Sequence, residues 1–180
     1  MRLQFLAACA VLAGLAACSP KPADTASAPT RIYSVQEVMK AVVAPSSAAV
    51  WKSPEWMNNP DGPQPDAKTK EADWQALRAG GVALAESTNL LVMEGRLTVQ
   101  PGVKLEGEGQ QGNLTAVEMD AKIKANRPQF IKHARALQDA ARETVVAIDK
   151  RSPDALLEAG GKVDEACEAC HKAFWYPGAP

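Results

Sequence analysis

The chain has 180 residues, with 20 Lys and Arg against 21 Asp and Glu and a formal net charge of −1. That length suits one domain with one substantial core. The even charge balance, with no basic stripe, argues against a nucleic-acid partner.

Arg2 supplies a positive charge, and Leu3 to Ala17 is then an apolar run broken only by Gln4. The run is short for a membrane span but fits the apolar region of an export signal. It ends in Leu15-Ala16-Ala17-Cys18, the pattern of a bacterial lipoprotein signal, where cleavage precedes a cysteine that carries diacylglycerol. The alternative is an ordinary secretory signal with a stray cysteine. The expected organisation is a leader at 1–17 and a Pro/Ala/Ser tether at 18–31, with lipid attached at Cys18. A single domain at 32–180 follows. The anchor would hold the protein on the periplasmic side of a bacterial membrane, and Ser19 favours the outer membrane. The tether has too little apolar surface to fold alone.

Four helical patterns follow, without a convincing strand. Ser34-Val35-Gln36-Glu37 is a capping box that opens the first. Val35, Val38, Met39, Val42, Val43, Ala49 and Val50 form its apolar stripe. Pro45 should kink it by crowding the carbonyl of Ala41, and Ser53-Pro54 should stop it. The proline-rich stretch to Ala67 reads as loop. A second helix is expected from about Lys68 to Glu94, with Trp74, Leu77, Gly81, Leu84, Thr88 and Leu91 as its seam. Gly80-Gly81 costs helix propensity, so it should serve close approach of a helix or a cofactor face. Gly95 is placed as the C-terminal cap.

Arg96 to Asn113 is a long glycine-rich connection. Thr115-Ala116-Val117-Glu118 is a second capping box, with Leu114 and Met119 set for a hydrophobic staple. The third main helix spans about Arg127 to Arg151, its apolar face formed by Phe130, Ala134, Leu137, Ala141 and Ile148. The fourth starts with Ser152 as cap, Pro153 at the first position and Asp154 against the dipole. Its seam is Leu156, Gly160, Val163, Cys167, Cys170 and Phe174. The last two helices share a very short turn and must be antiparallel neighbours. The expected fold is all-α, an antiparallel four-helix bundle.

The chemistry sits at Cys167-Glu168-Ala169-Cys170-His171. C-x-x-C-H is the attachment motif of haem c. On one helical turn two sulfurs can reach the two vinyl groups of one porphyrin, and His171 follows over the iron as proximal ligand. A structural disulfide would leave His171 without a role. A thioredoxin-like pair would need a βαβ context. A zinc site would need a fourth ligand, and His133 is the only other histidine. The export signal favours one covalent haem c, attached outside the cytoplasm.

With this motif so close to its C-terminus, the chain resembles the class II cytochromes c, the cytochrome c′ group. The resemblance covers roughly Tyr33 to Tyr176 in architecture. Its specific evidence runs from Gly160-Gly161 through Cys167–His171 to Phe174. It implies a left-handed bundle with C-x-x-C-H near the end of the fourth helix. The Phe174-Trp175-Tyr176-Pro177 ending, where the group often has a basic residue, and the long glycine-rich loop are departures. They point to a side branch.

Nothing downstream of His171 can supply a second axial ligand. Met39 lies at the expected height of the haem and on the inward stripe. It reads equally as distal ligand or as core packing. Met93, near the end of the second helix, and His133, level with His171, are the other candidates. Val35, Val38, Val42, Met93, Phe130, His133 and Phe174 are expected to line the cofactor. In the resembled group, methionine from the first helix gives a six-coordinate electron carrier, whereas an apolar residue leaves the iron open to small gases. The expected function is therefore single-electron transfer to redox partner proteins in the periplasm. The alternative is binding of nitric oxide or carbon monoxide, and a haem-free lipoprotein with a disulfide is a third reading. No constellation for enzymatic turnover stands out, and a homodimer is left open.

Overall fold

The computed structural model describes residues 30–178. The expected leader, Cys18 and nearly all of the tether lie outside the described residues. Within them every regular element is a helix, in the order α1 (Val35–Val38), a π-helical turn (Met39–Val43), α2 (Ala44–Trp51), α3 (Glu55–Asn58), α4 (Ala67–Leu91), α5 (Ala116–Ala125), α6 (Arg127–Asp149) and α7 (Pro153–Phe174). The α1–π–α2 run, α4, α6 and α7 are the four long members. Neighbours pack in the order α2, α4, α6, α7, and α2 touches α7 to close the bundle.

The first helix starts as its sequence dictates. The Ser34 hydroxyl accepts from the Glu37 N–H at 3.3 Å, and the Glu37 carboxylate accepts from the Ser34 N–H at 2.8 Å. Two further donors at this end without a partner in the helix, the N–H groups of Val35 and Gln36, give to the carbonyls of Leu97 and Thr98 at 2.8 and 2.9 Å. The long connection after α4 thus completes the cap of α1.

Just ahead of Pro45, where a kink was expected, the helix widens into a π turn. The Ala44 N–H reaches back five residues to the Met39 carbonyl, and α-helix resumes at Ala44. A wider turn just ahead of the proline gives its ring room that a tight helix would deny. It also slows the rotation of the face, so Val35, Met39, Val43, Ser47 and Trp51 line one wall at intervals of four.

The α4 seam is buried as expected. A methyl group added at Gly80 would come within 2.9 Å of Ala49 Cβ, and one at Gly81 within 2.9 Å of Val145 Cγ2. The glycine pair therefore serves close approach of helices on both sides rather than a cofactor face. Gly95 is not the cap: α4 ends at Leu91, and Gly95 turns the chain four residues later at φ 70°. The expected loop after Pro54 contains the one-turn α3, whose Trp56 packs edge-on against Trp74 with centroids 6.0 Å apart.

The second capping box closes as read, with Thr115 and Glu118 bonded reciprocally. Leu114 and Met119 share one apolar cluster with Phe130 and Phe174. Between α6 and α7, the Arg151 N–H donates to Ile148 O at 2.9 Å and the Ser152 N–H to Ala147 O at 3.1 Å. This is a Schellman turn with Arg151 in the left-handed region at φ 54°. The Arg151 side chain is held by Glu71 at 2.7 Å, which compensates for a residue less suited than glycine.

Candidate haem site

The gap between the first helix and α7 widens into a cavity of about 320 Å³. Val35, Met39 and Val43 line it from one side, and Phe130, His133, Ala134 and Leu137 of α6 from the floor. Cys167, Cys170, His171 and Phe174 line it from α7. Trp51 closes one end, its indole N–H donating to the Gly160 carbonyl at 3.2 Å. The cavity is overwhelmingly apolar along its walls.

The three residues of the attachment motif are thus half-buried on one turn of α7 and open onto one cavity. No disulfide joins the two sulfurs. Burial pushes the Cys167 thiol up to about 11, with Asp164 adding to the effect, and the Cys170 thiol up to about 12. Such thiols are neutral, the opposite of the low-pKa thiolate that redox or nucleophilic cysteines require. Burial also lowers the pKa of His171, partly opposed by Glu168, which favours the neutral imidazole that can bind a metal. Among the described residues no strand supports a thioredoxin-like reading. No cluster of three or more His, Cys, Asp or Glu side chains among the described residues is placed to hold a metal ion.

These features fit haem c. A flat apolar macrocycle needs an apolar slot, two thiols on one helical turn and a neutral imidazole beside them, and all three are present. Cys167 and Cys170 would hold the group and His171 would ligate its iron. Around His171 the Trp175 ring packs edge-on at 5.1 Å and Tyr176 lies tilted at 5.9 Å. The Tyr176 hydroxyl donates to Glu168 at 2.5 Å, and Lys172 pairs with the same carboxylate at 3.1 Å.

Of the other residues expected at the cofactor, Val35, Met39, Phe130, His133 and Phe174 line the cavity. His133 packs edge-on against Phe174 at 5.9 Å. Val38, Val42 and Met93 do not line it. Val38 is buried in the central core with Leu84 and Leu137, and the wide turn leaves Val42 off the cavity face. Met93 lies beyond the end of α4, where its sulfur accepts from Arg96 Nη2 at 3.0 Å. Sequence reasoning missed the contribution of the glycine-rich connection: Thr98, Leu105 and Glu106 line the cavity too. Leu105, an apolar residue among polar and glycine neighbours, was the available signal.

The family model described as Cytochrome C′ matches residues 104–175, from the glycine-rich connection through the motif. A solved nitric oxide complex of a mutant cytochrome c prime from Alcaligenes xylosoxidans is similar at 19% identity. The match covers 77% of this chain and 91% of that one, with a TM-score of 0.47. No curated protein matches the sequence.

Proposed function

We propose that this chain is a cytochrome c′-like c-type cytochrome with one covalent haem c, a reading supported by the family match over residues 104–175, and that it is a single-electron carrier with Met39 as the sixth ligand of the iron. The observation that carries the reading is the shared cavity: Met39 from the first helix and His171 from α7 line the same apolar slot. Bound haem supplies a reversible one-electron couple. The chain's own work is to hold it, exclude water and set its potential. A thioether is a soft, flexible ligand that stabilises the reduced state. Val35 and Val43 beside Met39 keep that side apolar. No turnover of a substrate is part of this reading.

Carbon monoxide is the test. Reduced wild type should be low-spin and bind the gas poorly, and Met39→Ala should turn the iron high-spin and bind it readily. A wild type that is already five-coordinate and binds carbon monoxide at once rejects Met39 ligation. It would move the function to nitric oxide or carbon monoxide binding. Loss of low-spin character on His133→Ala alone would make His133 the ligand.

The anchor belongs to the same proposal. A diacylglyceryl group on Cys18 would tie the domain to the periplasmic face of a bacterial membrane, where redox partner proteins exchange electrons with it. Among the described residues no helix is long and apolar enough to cross a membrane. Mass spectrometry of the mature N-terminus decides this point, and an unmodified Cys18 rejects it.

A further inference from the structure

One segment of the glycine-rich connection closes the cavity at the end opposite Trp51. Lys104, Leu105 and Glu106 cross from α1 to the foot of α7. On the α1 side the Gln36 amide brackets the backbone: its oxygen accepts from the Glu106 N–H at 2.7 Å, and its nitrogen donates to the Lys104 carbonyl at 3.3 Å. On the α7 side the Trp175 indole N–H donates to the Glu106 carbonyl at 3.0 Å. The Glu106 carboxylate meets Lys40 Nζ at 2.9 Å, and both side chains are more than half exposed. Leu105 points inward and is buried with Met119, Phe130 and Phe174.

Gly102 and Gly107 turn the chain on either side at φ 80° and 71°, where other residues are strained. Nothing lies within 4 Å of the Gly102 Cβ position, whereas the Gly107 carbonyl accepts from the Asn113 amide at 2.9 Å. The segment is thus anchored by one apolar side chain and a few bonds, and two of its partners, Gln36 and Lys40, flank Met39 on the first helix.

We propose that Lys104–Glu106 is a latched strap that sets how readily small neutral ligands enter the haem cavity, with Gln36 and the Lys40–Glu106 ion pair as its latches. The proposal rests on the cavity being the haem site but not on electron transfer. A solvent-exposed ion pair is weak, so breaking it should raise the open population by up to about fivefold. Gln36 makes two bonds to the strap backbone, and its loss should have the larger effect, up to about tenfold.

The test uses the haem-loaded protein in a Met39→Ala background, so that no thioether from Met39 competes. Imidazole association is followed by stopped flow in that protein and with Lys40→Ala, Glu106→Gln or Gln36→Ala added. Entry should quicken in all three, most in Gln36→Ala, and the exchanged pair Lys40→Glu with Glu106→Lys should restore the slow rate. Hydrogen exchange across residues 103–108, measured without imidazole, should accelerate in the same order. Faster exchange with unchanged entry would overturn the proposal, because the strap would then open without controlling access. Unchanged exchange would overturn it by showing that these contacts are not latches. A parent protein without a haem absorption band would remove the cavity reading and the proposal together.

Discussion

Gly81 and Gly161 are both helical glycines, yet their surroundings are opposite. Gly81 is buried on α4, and an added methyl would stand 2.9 Å from Val145 Cγ2 and 3.2 Å from Thr144 Oγ1. Gly161 is exposed on α7 with nothing within 4 Å. Replacing glycine by alanine in a helix gains about 1 kcal/mol of propensity. Overpacking a tight contact costs about 1–3 kcal/mol. Gly161→Ala should therefore stabilise the protein by up to about 1 kcal/mol, and Gly81→Ala should destabilise it by about 1 kcal/mol. Urea denaturation of the two variants checks the signs, and a stabilised Gly81→Ala would show that α4 and α6 are less closely apposed than described. The same scale holds the chemistry. Cys167, Cys170 and His171 could be named from their spacing because one helical turn fixes their relation. That Met39 lines the cavity could be read because position along a helix translates into height in a bundle. Val38 and Val42 were misplaced because the π-helical turn changes the angle per residue, and nothing in the stripe of valines marks where a helix widens.

Three helices begin on carboxylates that work only when ionised. The Ser34 hydroxyl and N–H hold Glu37 below the usual carboxylate range, the Thr69 N–H does so for Asp66, and the Thr115 N–H for Glu118. A carboxyl group with a depressed pKa in the folded state contributes stability above its unfolded value near 4. That contribution is lost as pH falls through the folded value. The protein should therefore lose stability progressively below about pH 4.5, where carboxylates begin to protonate. Glu37→Gln and Glu118→Gln together should flatten the acid limb of a plot of melting temperature against pH. An unchanged acid limb would mean that these caps contribute little to folding. Both capping boxes were plain in the sequence because they are local patterns of four residues. The buried seam of α4 and the start of α7 were equally plain. The one-turn α3 was not, since four residues give no periodicity, and its place depends on Trp56 meeting Trp74 across the chain. The real end of α4 was missed for a related reason. Gly95 signals a left-handed turn but not how many residues separate it from the helix.

At the scale of the molecule one seam of the bundle opens into an apolar cavity. The first helix and α7 are held together near Trp51 and near Glu106, and the cavity opens between those two points. The cavity of about 320 Å³ is lined almost wholly by apolar side chains, which lose contacts when no haem is attached. Cys167→Ala with Cys170→Ala should therefore melt well below wild type in thermal denaturation. The glycine-rich connection, read from sequence as a mere link, proves to be part of the wall, because only the folded chain brings Leu105 and Glu106 beside α1. Covalent attachment of haem at Cys167 and Cys170 is the central claim, and the intact mass of the denatured wild-type protein tests it most directly. The account predicts the lipid-bearing polypeptide plus one haem, with the haem addition absent from the double-alanine variant. A wild-type mass equal to the lipid-bearing polypeptide less two hydrogens, the signature of a Cys167–Cys170 disulfide, would contradict it.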